Sequence, residues 1–337
     1  MTTPAPDELM KALIEGRRWN AAETHSFFAA LVRGELDEIL MAAVIAALPP
    51  GRITVDELEG AARALLEQAT PFPRPTTEFA DVVGTGGDGL QTLNISTLAA
   101  LVAATIGCPI VKHGNRSVSS SSGSFDLLES LGIPFQIPPQ QARAQIDRHG
   151  ITFLFAPNYH AGLRHAATVR RRLRARTIFH MLGPLVNPAR PPRILLGVAR
   201  PEWAMPLAEV LRRLGIERGL VVHGSGLDEV AVHGPTQVLD VTPRQIVEYE
   251  LQPGDFGSGE FSLAQLSCPE AAASHRRARQ VLAGQGSPAE NAAVAVNAAL
   301  VARLFGRDDL RENFRVALAA LQAGTPGDLV QAMARDS

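Results

Sequence analysis

One segment, residues 81–129, restricts this chain more than any other part of it. It reads DVVGTGGDGLQTLNIST, then an apolar stretch, then VKHGNRSVSSSSGSFDLLE, with one lysine, one arginine and no acidic residue between Asp88 and Asp126. Glycines at 84, 86, 87 and 89 let backbone N–H groups approach an anion closely, and a helix beginning near Asn94 adds its positive end to the same place. An apolar strand, a small-residue loop and a helix in that order are how an α/β sheet builds a phosphate site at a strand end. The segment predicts a phosphate-bearing substrate.

Two familiar phosphate motifs are excluded. Residues 84–89 formally match G-x-G-x-x-G, but a dinucleotide site also wants an acidic residue about 20 positions on to hold a ribose hydroxyl, and none is there. No Gly-Lys-Ser or Gly-Lys-Thr follows at the spacing of a Walker loop. Glycines that merely shape a turn would not explain the second small-residue cluster at 117–124, or the Lys-His-Gly-Asn-Arg pentad before it.

The rest of the chain reads as a two-domain enzyme of α/β class. Its 337 residues can bury a large core. A net charge of -2 and a pI near 6.5 offer no global attraction to nucleic acid or membrane. Two cysteines, Cys108 and Cys268, fit small buried hydrophobes in a reducing compartment rather than a disulfide scaffold. The apolar run 98–111 is too short, and too interrupted by Gly107 and Pro109, to span a bilayer. No cleavable signal is recognised, so a cytoplasmic location is expected.

From 7 to 68 the apolar spacing is helical, with Thr54-x-x-Glu57 as a capping box and Pro49-Pro50-Gly51 separating two helices. Pro71, Pro73 and Pro75 form a stiff linker. Beyond it, apolar strands such as 81–84, 109–112, 194–198 and 219–223 alternate with helical segments, which predicts a mostly parallel sheet. Segment 160–182 reads as helix again. Its arginines, Arg170, Arg171, Arg172, Arg174 and Arg176, spread around that helix, so most must face solvent or carboxylates.

Six pieces in order, GTGGDG (84–89), NIST (94–97), KHGNRSVSS (112–120), GSFDLLESLG (123–132), RTIFHMLGPLVNPA (176–189) and HGSGLDEV (223–230), resemble the anthranilate phosphoribosyltransferase family. The similarity covers most of the chain and is weakest at the first and last 70 residues; thymidine and pyrimidine nucleoside phosphorylases look like more distant relatives. The resemblance implies a nucleoside phosphorylase/phosphoribosyltransferase-like fold. In it, 1–70 with about 160–182 form a small helical domain, and 76–159 with 183–337 form the larger α/β domain. It implies displacement of pyrophosphate from phosphoribosyl pyrophosphate (PRPP) by the amine of anthranilate, in tryptophan biosynthesis, by a homodimer using two Mg2+ ions.

Carried over residue by residue, the resemblance assigns PRPP to Gly84, Gly86, Gly87, Asp88, Thr92, Asn94, Ser96, Thr97, Lys112, Asn115 and Ser119. Asp88 would act through the ribose or a water. Metal falls to Ser96, Asp228 and Glu229; magnesium prefers such hard oxygens and is commonly shared with substrate phosphates. Anthranilate falls to Gly84, His113, Asn115, His160, Leu163 and Arg170, with Asn158 and Tyr159 at its border. Arg170 suits a carboxylate because a planar guanidinium can hold it with two parallel hydrogen bonds. Catalysis is expected from substrate and metal positioning, without a further catalytic residue. His160 and His165 are five apart and do not share the helical face of a zinc pair.

Four positions depart from the family's usual residues: Leu93 for phenylalanine, Ser121 for lysine, Phe125 for alanine and His180 for asparagine. They bear on the acceptor and on loop closure more than on reaction class. Another aromatic amine as acceptor, or a nucleic-acid-binding protein that uses the arginine-rich segment, are the alternatives. Retention of GTGGD and KHGNR counts against the latter.

Overall fold

A computed structural model describes residues 4–116 and 123–336. The chain opens with four helices, α1 (Pro6–Ile14), α2 (Ala21–Arg33), α3 (Glu38–Ala47) and α4 (Val55–Glu67). Local chemistry sets their starts. Asn20 and Glu23 cap α2 reciprocally, Asp37 accepts from two amides of α3, and Thr54 and Glu57 form the expected capping box of α4. Glu57 is fully buried. Its carboxylate accepts from Thr54 N at 2.8 Å, from Trp19 N at 3.2 Å and from the Arg18 guanidinium, which ties the turn before α2 to α4.

The proline-rich linker leads into β1 (Ala80–Gly84), α5 (Ile95–Thr105), β2 (Ile110–Gly114), α6 (Ser124–Ser130), α7 (Pro139–His149) and β3 (Ile151–Phe155). Three short helices follow, α8 (Ala156–Tyr159), α9 (Ala167–Leu173) and α10 (Ile178–Leu182), before β4 (Arg193–Gly197), α11 (Ala204–Arg213) and β5 (Arg218–Gly224). A hairpin, β6 (Thr236–Val241) and β7 (Ile246–Leu251), precedes the C-terminal helices α12 (Leu263–Leu266), α13 (Ala271–Leu282), α14 (Pro288–Leu304), α15 (Leu310–Gln322) and α16 (Thr325–Ala334).

One seven-stranded sheet runs β3-β2-β1-β4-β5-β6-β7. Its first five strands are parallel and the β6–β7 hairpin adds two antiparallel ones, so the mostly parallel α/β class holds. The order reverses between β1 and β4, the point where open α/β sheets place a ligand crevice beyond the carboxyl ends of the strands.

Alternation along the strands serves two apolar layers. Val82, Leu195, Leu220 and Val222 pack with α5 and α14 on one face. Ile194, Leu196 and Val221 pack with α11 and with residues of α1–α4, α9 and α10 on the other. Helix α14 is buried on nearly all sides and is accordingly rich in alanine and valine. No helix of the described residues is long and apolar enough to cross a membrane.

Segment 160–182 departs from one continuous helix. Residues 161–166 wind as a 3-10 turn, and α9 stops where Arg174 takes a left-handed backbone (φ 47°) that cannot continue it. Arg174 and Arg176 therefore lie off the helix, which corrects the expectation of five arginines around one cylinder.

Asn297, inside α14, has both hydrogen-bonding ends engaged with one peptide. It accepts from Val230 N at 2.9 Å and donates to Val230 O at 3.2 Å, and it donates to Ala293 O at 2.8 Å. Substituting Asn297→Ala strands the buried Val230 amide and should cost about 1–3 kcal/mol of stability, read as a lower denaturant midpoint. An unchanged midpoint would show that Val230 finds other partners.

Candidate active site

Parallel pairing sets Gly84 of β1 opposite Gly197 of β4 at the mouth of the crevice. Neither position has room for a side chain. A methyl group at Gly84 would strike the Asp228 carboxylate, and one at Gly197 would strike the Asp228 backbone. The two glycines thus let the turn after β5 lie directly across the sheet end. Gly86 and Gly87 then turn the loop with φ of 65° and 78°, a conformation that glycine adopts freely.

Two carboxylates fasten this loop and the helix behind it. Asp228 Oδ2 accepts from Gly86 N at 2.7 Å, and Glu229 Oε1 accepts from Ser96 N, in the first turn of α5, at 2.9 Å. Asn94 is the N-cap residue of that helix. Thr97 is buried with its hydroxyl unpaired among the described residues. Asp88 accepts from Leu90 N at 3.0 Å, and Thr92 bridges to Ser267 at the rim. Lys112, buried in the middle of β2, donates through Nζ to Val82 O and to Ser96 Oγ, the latter at 3.4 Å.

The electrostatics are those of buried like charges. Burial first, and the Asp88 carboxylate second, push Asp228 up to about 7; burial, and then Asp228, push Glu229 up to about 8. Burial also raises Asp88, and it lowers Lys112 against the pull of Asp81, Glu229 and Asp228. Asp88, Asp228 and Glu229 thus crowd a region where Lys112 is the buried ammonium. A divalent cation would offset that charge, and the donors are the hard oxygens that magnesium prefers. Among the described residues no three His, Cys, Asp or Glu side chains converge to enclose a metal by themselves. Such a set suits an ion that completes its shell with phosphate oxygens and water.

A second group of side chains lies beside this one. The imidazoles of His113 and His160 meet edge to face at 5.4 Å between ring centres. Burial holds both below the ordinary histidine range, and His113 most strongly, so both are neutral at pH 7. Arg170 rests its guanidinium 4.4 Å from the centre of the Phe179 ring, and burial alone lowers its pKa, with no acidic neighbour opposing that. His180 connects the two regions. Its Nδ1 accepts from Thr177 N at 3.1 Å, and it feels the charges of both Arg170 and Arg176. Arg176 in turn donates to Gly87 O in the glycine loop.

The remaining predicted residues take more peripheral places. Asn115 is exposed at the end of β2, with its Oδ1 accepting from Arg116 N at 2.7 Å. Leu163 donates its N–H to His160 O at 3.0 Å and packs on the helical bundle. Ser119 and Ser121 lie outside the described residues. Arg116, part of the pentad read as anion-binding, is engaged by Glu129 at 2.6 and 2.8 Å and by Asp126 at 3.3 Å, which removes it as a free cation. Phe125 fills the core rather than the crevice, 5.0 and 5.2 Å from the rings of Phe135 and Phe155. Leu93 is likewise buried.

Sequence reading passed over Arg176, Gly197, Asp81 and Asn187. Gly197 ends an apolar strand, as Gly84 does, and that was its one visible signal. The other three act through chain crossings that no local pattern reports.

Comparison with known proteins agrees with this geometry. Residues 76–326 match the a/b domain of the glycosyl transferase family, and residues 7–69 match its helical bundle domain. An anthranilate phosphoribosyltransferase from Vibrio cholerae is 48% identical over 327 residues, covering 97% of this chain and 98% of that relative. The crystal structure of anthranilate phosphoribosyltransferase from Thermus thermophilus superposes with a TM-score of 0.90 at 38% identity, over 97% of this chain and 98% of that one. The enzyme of the same name from Saccharomyces cerevisiae, in complex with PRPP and Mg, gives 0.89 at 25% identity, over 98% and 97%. With 48% identity over near-complete coverage and one fold, the chain belongs to the anthranilate phosphoribosyltransferase family.

Proposed function

We propose that this chain transfers the 5-phosphoribosyl group of PRPP to the amine of anthranilate, giving N-(5-phosphoribosyl)anthranilate and pyrophosphate in tryptophan biosynthesis. One observation carries the reading. The Gly84–Gly87 loop, with Lys112 and the Asp228–Glu229 carboxylates, forms an anion cradle, and Arg176 and His180 link it to Arg170, a half-buried guanidinium with no acidic partner among the described residues.

In this reading the phosphates take the loop amides at Gly84, Gly86 and Gly87, the α5 N-terminus at Asn94, Ser96 and Thr97, and Lys112. Asp88, Thr92, Asn115 and Ser119 complete the contacts. Ser96, Asp228 and Glu229 are the protein ligands for magnesium, two ions in all; these supply charge neutralisation of the pyrophosphate when bound. Arg170 holds the acceptor's carboxylate, with Gly84, His113, Asn115, His160 and Leu163 around its ring. The amine nitrogen bonds to the anomeric carbon, the bond from that carbon to pyrophosphate breaks with its electron pair leaving on oxygen, and the nitrogen gives up a proton. The chain's part is orientation and preorganised charge. Neutral imidazoles at His113 and His160 add no positive charge next to the amine.

The helical domain is 1–70 with about 160–182, and the α/β domain is 76–159 with 183–337. The protein works as a cytoplasmic homodimer. Ile14 and Ile39, 64% and 83% exposed on the helical bundle, support a partner surface there.

The direct test follows loss of anthranilate fluorescence with PRPP and magnesium. Turnover is expected in the unaltered protein and its disappearance in the Asp228→Asn, Glu229→Gln variant. An unaltered protein that binds PRPP without consuming anthranilate would sink the acceptor assignment.

Arg170→Ala should raise the KM for anthranilate roughly 10- to 150-fold, the loss of about 1.5–3 kcal/mol for hydrogen bonds to a charged group, and leave the KM for PRPP in place. Unaffected anthranilate kinetics would remove Arg170 from the site.

A third test uses pH. Between an ordinary carboxylate pKa of about 4 and the raised values of about 7 and 8, the folded protein holds protons at Asp228 and Glu229 that the unfolded chain has lost. Stability therefore falls as pH rises through that window. Magnesium replaces those protons, so its stabilisation in a thermal melt should be larger at pH 8 than at pH 5.5 and should vanish in the double variant. Equal stabilisation at both pH values would place the ion elsewhere.

A further inference from the structure

Asp81 is wholly buried on β1, on the sheet face opposite the α5 and α14 layer, and Asn187 is 2% exposed beside it. Asp81 Oδ1 accepts from His113 N at 3.3 Å, and Oδ2 accepts from Asn187 Nδ2 at 2.8 Å. The same Nδ2 donates to Val111 O at 2.8 Å, and Asn187 Oδ1 accepts from Ala189 N at 2.9 Å. Two side chains thus fasten β1, the end of β2 and the 183–189 segment at one point. That segment also holds both acceptor-side imidazoles. The Gly183 backbone acts on the His113 imidazole to raise its pKa against the effect of burial, and His160 Nε2 lies 2.8 Å from Val186 O.

From this arrangement we infer that Asp81 and Asn187 are positioning residues for the proposed transfer: a buried bracket that sets Lys112 and His113 against the segment arriving from Arg170, Arg176 and His180. The inference rests on the transferase reading and deepens it. Each partner's chemistry is specific. Asp81 faces two donors, which a carboxylate alone can accept on both oxygens, and Asn187 faces two acceptors with its amide nitrogen and a donor with its oxygen. A buried carboxylate with no directly bonded cation is costly for folding, and an apolar pair of similar volume would cost less. What the pair supplies is a single register between the strand carrying Lys112 and His113 and the chain that brings in the acceptor arginine.

The experiment compares Asp81→Asn, Asn187→Asp and the double exchange. Asp81→Asn keeps the shape, removes the buried charge and sets an NH2 against an N–H. It should melt within a few degrees of the unaltered protein yet lose at least tenfold in kcat/KM, with a rise in the anthranilate KM. The double exchange again pairs an amide NH2 at 81 with a carboxylate at 187. It should recover several-fold over the product of the single losses. Kinetics within twofold of the unaltered protein in Asp81→Asn would overturn the bracket; the double exchange leaves Val111 O without its donor, so its recovery is partial. If the single exchanges fail to fold, Asn187→Ser, which deletes the cross-link but leaves Asp81 on His113, must show the same rise in anthranilate KM. Calorimetric binding of PRPP with magnesium reads the Lys112 arm without any acceptor, and weaker binding in Asp81→Asn is expected. Absence of turnover in the unaltered protein would be a failure of the transferase reading, visible before any variant is compared.

Discussion

The hydrogen bonds from Gly86 N to Asp228 and from Ser96 N to Glu229 are the contacts on which the rest of the site depends. They join the turn after β5 to the loop after β1 and to the start of α5, so three separate stretches of chain become one surface. They also draw two carboxylates partly out of water. In that setting Asp88 raises the pKa of Asp228 and Asp228 raises that of Glu229, with Lys112 as the balancing charge. A site built this way is poised to take a cation and a polyanion together. Either alone would leave buried charge unbalanced.

Geometry upstream makes those contacts available. Gly84 and Gly197 are paired in register, and without side chains they leave the space that Asp228 occupies. Asn297 holds the peptide of Val230, the residue after Glu229, from within the most buried helix. Packing of α14 is thereby coupled to the placement of the two carboxylates, and a destabilising change in the core there reaches the chemistry through one peptide.

The acceptor side is assembled differently. Arg170, His180 and Arg176 come from a broken helical stretch, and the break at Arg174 turns Arg176 back onto the glycine loop. His113 lies near the carboxyl end of β2 and His160 follows that of the parallel strand β3, and they meet beside the 183–186 backbone. These groups keep their positions only while the helical stretch and the sheet stay in register, which is the task of the buried Asp81–Asn187 contact.

Much of this was legible in the residues. The capping box at Thr54 and the alternating apolar runs announce helices and strands because they depend on neighbours three residues apart or on a period of two. The glycine loop, the helix start at Asn94 and the absence of acid between Asp88 and Asp126 mark the anion site for the same local reason. Arg116 and Phe125 show the limit. Read locally, one is a cation in a segment that suits an anion and the other a departure from the family's alanine; in the fold, Glu129 neutralises the first and two aromatic rings bury the second. Sequence alone determined the class of fold, the anion-binding loop and the family resemblance, since each is written in contiguous residues. Tertiary structure decided the partners of Asp81, the reach of Arg176 and the raised pKa values of Asp228 and Glu229. Burial and long-range hydrogen bonds exist only once distant segments are packed together.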